Sequence, residues 1–185
     1  NDRQDQFGRD RQGRMRFAVE VARAIRREWP ERKPLFFRLS CIDDAEGGWS
    51  IEDTLVLVQA LRDAGVDLID CSSGGIGAPP TLKPVARPHG FQVPFAERVR
   101  RETGIATMAV GLIREARHAE AILAEQRADL VCIAREALYN PNWGVHAALE
   151  LLGDEGYDLW PKQYGWWLSR RARNLRLLAS EEAAE

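Results

Sequence analysis

A chain of 185 residues, 45% hydrophobic and 29% charged, has the composition of one ordinary globular domain. Its formal net charge of −2 gives no electrostatic case for nucleic acid as the main partner, and no uninterrupted apolar run approaches the roughly 20 residues that span a bilayer. Cys41, Cys71 and Cys132 form no CxxC pair and keep no metal-ligand spacing with His89, His118 or His146, so no metal is expected. They read as reduced thiols of a cytoplasmic protein, packed near strand ends.

From the start of the chain, Met15, Ala18, Val19, Ala22, Ile25 and Trp29 keep a helical spacing over residues 10–29, and Pro30 stops it. The run 34–40, "PLFFRLS", reads as a strand with one arginine inside it. Ser50 and Asp53 have capping-box form and predict a helix to about Ala64, with Gly65 at its stop. "VDLIDCS" (66–72) predicts a second strand, followed by the glycine-rich "SSGGIGAPP". Pro94 suits the first turn of a helix that runs to about Glu102, before Gly104. A third strand is expected at 105–110, a helix at 114–125, a fourth strand at 128–134 and a terminal helix near Trp143–Leu152. The arginine-rich runs "RDRQGRMR" and "SRRARNLR" read as solvated helix faces.

The strands are short, apolar and almost without alternation, with helices between them. That pattern belongs to parallel strands covered on both faces. No GxGxxG lies at a strand-to-helix turn, so the dinucleotide fingerprint of an open doubly wound sheet is missing. Four βα units cannot close an eight-stranded barrel. The expected fold is therefore α/β, half of a (β/α)8 barrel.

Ligands of such folds gather at the C-terminal ends of the strands. Gly111, after the third strand, would allow close backbone approach. Ala134 and Arg135, after the fourth, open what could be a short helix, whose amides together with an arginine suit a phosphate. The alternative is a tight turn at Gly111 and a surface ion pair at Arg135. Arg38 shares a strand face with Phe36 and Ser40. It is either a fixed cation for a negatively charged ligand or the partner of a carboxylate such as Asp70. Cys71 reads as packing rather than as a nucleophile. Asp43, Asp44 and Glu46 read as solvated loop residues rather than a metal site. The tail "LWPKQYGWW" either packs on its own domain or serves as an aromatic lid or subunit contact.

Taken in order, these residues resemble the old yellow enzyme family of flavin-dependent ene-reductases, in particular its xenobiotic-reductase-like branch. Asn1, Arg3, Asp5, Phe7, Gly8, Arg14, Arg16 and Phe17 fit the family's N-x-R-x-D-x-[YF]-G-G-S…N-R-x-R-F signature, with departures at "GRD" and at Gly13. "FFRLS", "DLIDCSSGG", "GFQVPFAERVR", "AVGLI" and "ADLVCIAREAL" continue the match, which covers residues 1–168. The resemblance implies the C-terminal half, strands 5–8, of a TIM barrel that holds FMN. Arg38 would then sit at the pyrimidine edge of the flavin, and Gly111, Ala134 and Arg135 would hold its phosphate. Many relatives carry glycine where this chain has Ala134. Trp166, or Trp167, would reach the pocket of a neighbouring subunit in a homo-oligomer.

The activity so implied is reduction of activated C=C bonds in enones, nitroalkenes or maleimides, with NAD(P)H as hydride donor and a small molecule as substrate. The family's substrate-anchoring histidines, flavin-tuning cysteine or threonine, and proton-donor tyrosine belong to the first half of the barrel, so no catalytic residue is assignable in this chain. The whole of residues 1–185 is expected to be the C-terminal half of the domain and to need a separate N-terminal half as partner. Two other readings are a reductase part of a fused aromatic acyl-CoA monooxygenase/reductase and a catalytically silent half-barrel.

Overall fold

The computed structural model describes residues 1, 3–43, 46–74 and 87–183. Asp44 and the glycine-rich stretch from Gly75 onward lie outside the described residues. The chain forms two compact units, Asn1–Ile113 with Ala121–Ile133, and Arg114–Glu120 with Ala134–Glu185.

In the first unit, α1 (Arg11–Glu28) starts where Asp10 accepts a hydrogen bond from the Gly13 amide at 2.8 Å. β1 (Phe36–Ser40) follows, then α2 (Ile51–Asp63), whose expected capping box is formed by Ser50 and Asp53. β2 (Leu68–Ser72), α3 (Val93–Thr103) and β3 (Ala106–Ala109) continue the alternation. Pro94 lies in the first turn of α3, and Gly104 caps its end. α4 (Ala116–Ala124), of which only the part from Ala121 belongs to this unit, leads to β4 (Leu130–Val131). The four strands are all parallel and lie in the order β1-β2-β3-β4. Sequential parallel strands joined by helices are the repeating unit of the (β/α)8 barrel, and four of them make half of one.

Strand register explains where the core sits. Phe37, Ile69 and Thr107 align across the sheet, as do Leu39, Cys71, Ala109 and Val131. Ile69, Cys71, Thr107 and Ala109 are fully buried, along with Val58 and Leu61 of α2 and Val93, Ala96 and Val99 of α3. The opposite face is different. Arg38, Asp70, Met108 and Leu130 align on it, with Phe36 one step earlier on β1. Phe36 is 47% exposed and Leu130 42%. The expectation of strands covered on both faces thus holds for β2, buried at all five residues, and fails at Phe36 and Leu130 of the outer strands, because helices cover a (β/α) sheet from outside and the inner face packs on other strands.

The strands are shorter than expected at their ends, most of all the fourth, which pairs through two residues instead of spanning 128–134. Its only partner among the described residues is β3, so few hydrogen bonds define its length.

The second unit is helical: α5 (Arg135–Tyr139), α6 (Trp143–Leu152), a 3-10 segment over Gly153–Leu159, and α7 (Lys162–Glu182). The Trp143 indole donates to the Arg114 carbonyl at 2.7 Å. α7 crosses the 3-10 segment at Gly165, where a Cβ would come within 2.5 Å of the Tyr157 carbonyl oxygen. Further along, Arg176 grips Asp154 through both terminal nitrogens at 2.9 Å. The tail that read as an aromatic segment is thus a 21-residue helix.

Candidate functional site

The strand ends of the first unit gather the polar groups. Arg38 projects from the open face of β1, and its Nη1 donates to Asp70 Oδ2 at 2.7 Å. The two residues are register partners on β1 and β2, so the sheet itself sets their pairing. The Asp70 side chain is 12% exposed and that of Arg38 54%. The carboxylate is therefore held in the sheet while most of the guanidinium stays open. Asp70 Oδ1 is buried without a hydrogen bond among the described residues.

Of the two sequence alternatives for Arg38, the structure shows the carboxylate partner, and the rest of the guanidinium makes no further ion pair among the described residues. Cys132, just after β4, senses the same pair. Burial and then the Asp70 charge push its thiol up, while Arg38 pulls it down. Cys71 is fully buried. The neighbouring Cys41 thiol and burial, in that order, push it far above its ordinary range. A thiol held neutral in this way packs and does not attack.

Gly111 follows β3 with φ +117°, a conformation costly for any L side chain. A Cβ there would also lie 3.1 Å from the Phe91 ring and 3.2 Å from Gln92. Its carbonyl accepts from the Gly90 amide at 2.8 Å. The next residue, Leu112, has φ +53°, an uncommon value for leucine that points to a backbone position held by its surroundings. Gln92 is buried, and its amide reaches the Ser73 carbonyl and hydroxyl at 3.1 and 3.0 Å. Gln92, Ser73 and Leu112 were not singled out from the sequence. The signal the sequence offered there was Pro94, which marked the first turn of α3.

In the second unit, Ala134 is the N-cap of the five-residue α5 and offers no side-chain cap. Arg135 opens that helix, as expected, and is exposed. Its guanidinium forms no ion pair with another described residue, whereas Arg114 pairs with Glu136 at 3.1 Å. Trp166 and Trp167 lie edge to face, their centroids 4.4 Å apart, with Arg170 over the Trp166 ring. They are 51% and 66% exposed, so packing of these rings on their own domain is not what the structure shows. Trp167 borders an open cavity of ≈ 450 Å³ with Asn142, Trp160, Tyr164 and Leu168.

Asp43 corrects a sequence expectation. It is not a solvated loop residue: its carboxylate accepts from the Trp49 amide and its own amide donates to the Trp49 carbonyl, both at 3.0 Å. Among the described residues no cluster of His, Cys, Asp and Glu could hold a metal ion, and no helix is long and apolar enough to cross a membrane.

A parallel α/β half-barrel with a paired arginine and a strained glycine turn at its strand ends has the architecture of (β/α)8 barrel proteins. The chain belongs to the NADH:flavin oxidoreductase / NADH oxidase family, whose model matches residues 1–152. An NADPH dehydrogenase of Halalkalibacterium halodurans is 45% identical over 152 residues, 82% of this chain and 43% of that protein. An NADPH dehydrogenase of Listeria monocytogenes serotype 4a is 40% identical over 168 residues, 89% of this chain and 46% of that protein. The chain thus spans less than half the length of these curated relatives. Among solved structures it is similar to a 2-naphthoyl-CoA reductase complex, with TM-score 0.69 and 24% identity over 76% of this chain and 22% of the other. A histamine dehydrogenase from Rhizobium sp. 4-9 gives TM-score 0.66 at 20% identity, covering 83% and 22% of the two chains. Both likenesses are of fold, and the first carries no argument for thioester substrates.

Proposed function

We propose that this chain supplies the FMN phosphate and pyrimidine contacts of an NAD(P)H-dependent reductase of activated C=C bonds. Its partner in that work is an N-terminal barrel half. The observation that carries the reading is Arg38, a cation anchored by Asp70 at 2.7 Å yet 54% exposed on the open sheet face. The residues suit FMN on their own terms. Arg38 leaves more than half of its side chain exposed, Gly111 presents backbone where no side chain fits, and Arg135 at a helix opening has no ion pair among the described residues.

FMN, where bound, would supply the hydride chemistry that links NAD(P)H to the activated C=C bond of an enone, nitroalkene or maleimide. Arg38 would hold the flavin's pyrimidine edge, where a fixed cation stabilises negative charge. Asp70 holds the guanidinium in one orientation, so the cation is already placed before charge develops. Gly111, Ala134 and Arg135 bind the phosphate through backbone amides and a charge-assisted hydrogen bond. Trp166, with Trp167 as the alternative, covers a pocket in a homo-oligomer. The catalytic acid and the substrate-anchoring groups come from the N-terminal half.

Visible spectroscopy tests this. The chain is purified alone and after co-expression with the N-terminal half of the Halalkalibacterium halodurans relative, and each sample is denatured to release any chromophore. The co-purified pair is expected to carry flavin, and Arg38→Ala to lower FMN affinity about tenfold, the worth of one charge-assisted hydrogen bond. A co-eluting pair that stays colourless with added FMN would sink the proposal.

A further inference from the structure

The family model stops at residue 152, but the chain goes on to form the 21-residue α7. One side of α7 is accounted for. Gly165 is buried on the 3-10 segment, Ser169 and Ala172 are half-buried, and Arg176 is tied to Asp154. The stripe beside it is accounted for only at its start, where Tyr164 and the half-buried Leu168 border the cavity with Trp160. Tyr164, Leu168, Arg171, Leu175, Leu178 and Glu182 recur at alternating steps of four and three residues, the heptad spacing of a helix seam. Tyr164 is 62% exposed, Leu175 47% and Leu178 54%.

We infer that the second half of α7 is a self-association surface that takes the same helix of a second copy in antiparallel register. Within the seam, the order is Arg171, Leu175, Leu178, Glu182. Laid antiparallel on itself, it places Leu175 against Leu178 of the second copy and Arg171 against Glu182 of the second copy. Two leucine layers are then closed at both ends by opposite charges, and the contact is its own two-fold mate. A parallel pairing sets Arg171 on Arg171 and Glu182 on Glu182, repulsive at both ends. The charges also decide against a lipid surface. A membrane helix keeps its apolar stripe free of charge, whereas this stripe carries Arg171 in its middle and Glu182 at its end. The overlap of about 12 residues is only about 18 Å long. The dimer is therefore weak, dissociating at micromolar concentration or above.

Sedimentation velocity of the full chain across a concentration series tests the register. The wild-type chain is expected to show a reversible monomer–dimer equilibrium. Leu178→Asp, which strikes both leucine layers, raises the dissociation constant about a hundredfold. R171E or E182R alone raises it about tenfold, because each meets a like charge at two symmetric places. The R171E/E182R double variant restores it to within about threefold of wild type. All these positions are solvent-facing in the monomer, so far-UV circular dichroism should not change. A chain that stays monomeric, or a dimer indifferent to both reversals, overturns the proposal. So does failure of the double variant to recover, or a monomer that co-sediments with phosphatidylcholine/phosphatidylglycerol vesicles, which assigns the face to lipid. None of these readouts measures flavin, so their failure leaves the flavin proposal untouched.

Discussion

Arg38 was visible in the sequence because a guanidinium inside an apolar strand demands a partner. Its partner was not settled there, since register between β1 and β2 is a tertiary fact. Once Phe36 aligns with Leu68, Arg38 must face Asp70. Gly111 was legible as a turn, but its reason was not: its Cβ position is filled by Phe91 and Gln92, which come from the opening of α3. Nothing about leucine announces that Leu112 will adopt φ +53°. Gly111→Ala adds a methyl where both the backbone angle and the space oppose it, and is expected to cost about 1–3 kcal/mol. Urea unfolding of the two chains measures this. A loss under about 0.5 kcal/mol would mean that the turn relaxes and does not require glycine.

At the scale of elements, the local signals that proved reliable are those with a stereochemical mechanism. The capping box of α2 is one. Ser50 Oγ accepts from the Asp53 amide at 3.2 Å while Asp53 Oδ2 accepts from the Ser50 amide at 3.0 Å. Burial is the largest influence on Asp53 and pushes its carboxyl up, but the Ser50 amide and hydroxyl and the Arg11 guanidinium together outweigh it and hold it below the ordinary 3.8. A carboxyl depressed in the folded state stabilises the fold above its unfolded value. That stabilisation is lost as pH falls through the lower folded value. The acid unfolding limb below about pH 4 should therefore be shallower in Asp53→Asn, which at neutral pH is the less stable protein by about 1 kcal/mol. Thermal unfolding from pH 2 to 7 checks both. Equal slopes would remove Asp53 from the acid response. The elements that were misjudged lacked such signals. β4 is short because its length rests on one neighbour, and α7 was legible only in part, as the solvated helix face of "SRRARNLR", because its leucines alternate with arginines and its inner face packs through glycine and alanine.

For the whole molecule, the half-barrel was readable from the order of strands and helices, whereas the asymmetry of its two faces was not. Apolar runs without alternation give the same pattern for a face under helices and a face inside a barrel. The structure separates them. Ile69, Cys71 and Ala109 are fully buried on the face that meets α3, while Phe36 and Leu130, on the outer strands, are 47% and 42% exposed on the other side. In this chain those two side chains therefore contribute little to folding, and each has about 1 kcal/mol or more still to gain from being covered. Phe36→Ser and Leu130→Ser should change the unfolding free energy of the isolated chain by less than about 0.5 kcal/mol, as exposed sites do. The same changes should reduce fluorescence of the apolar dye ANS on the chain. They should also weaken co-elution with an N-terminal barrel half by about tenfold each. Core-like losses of about 2–5 kcal/mol on substitution would instead mean that this face is already packed, and that no other half is needed to complete it.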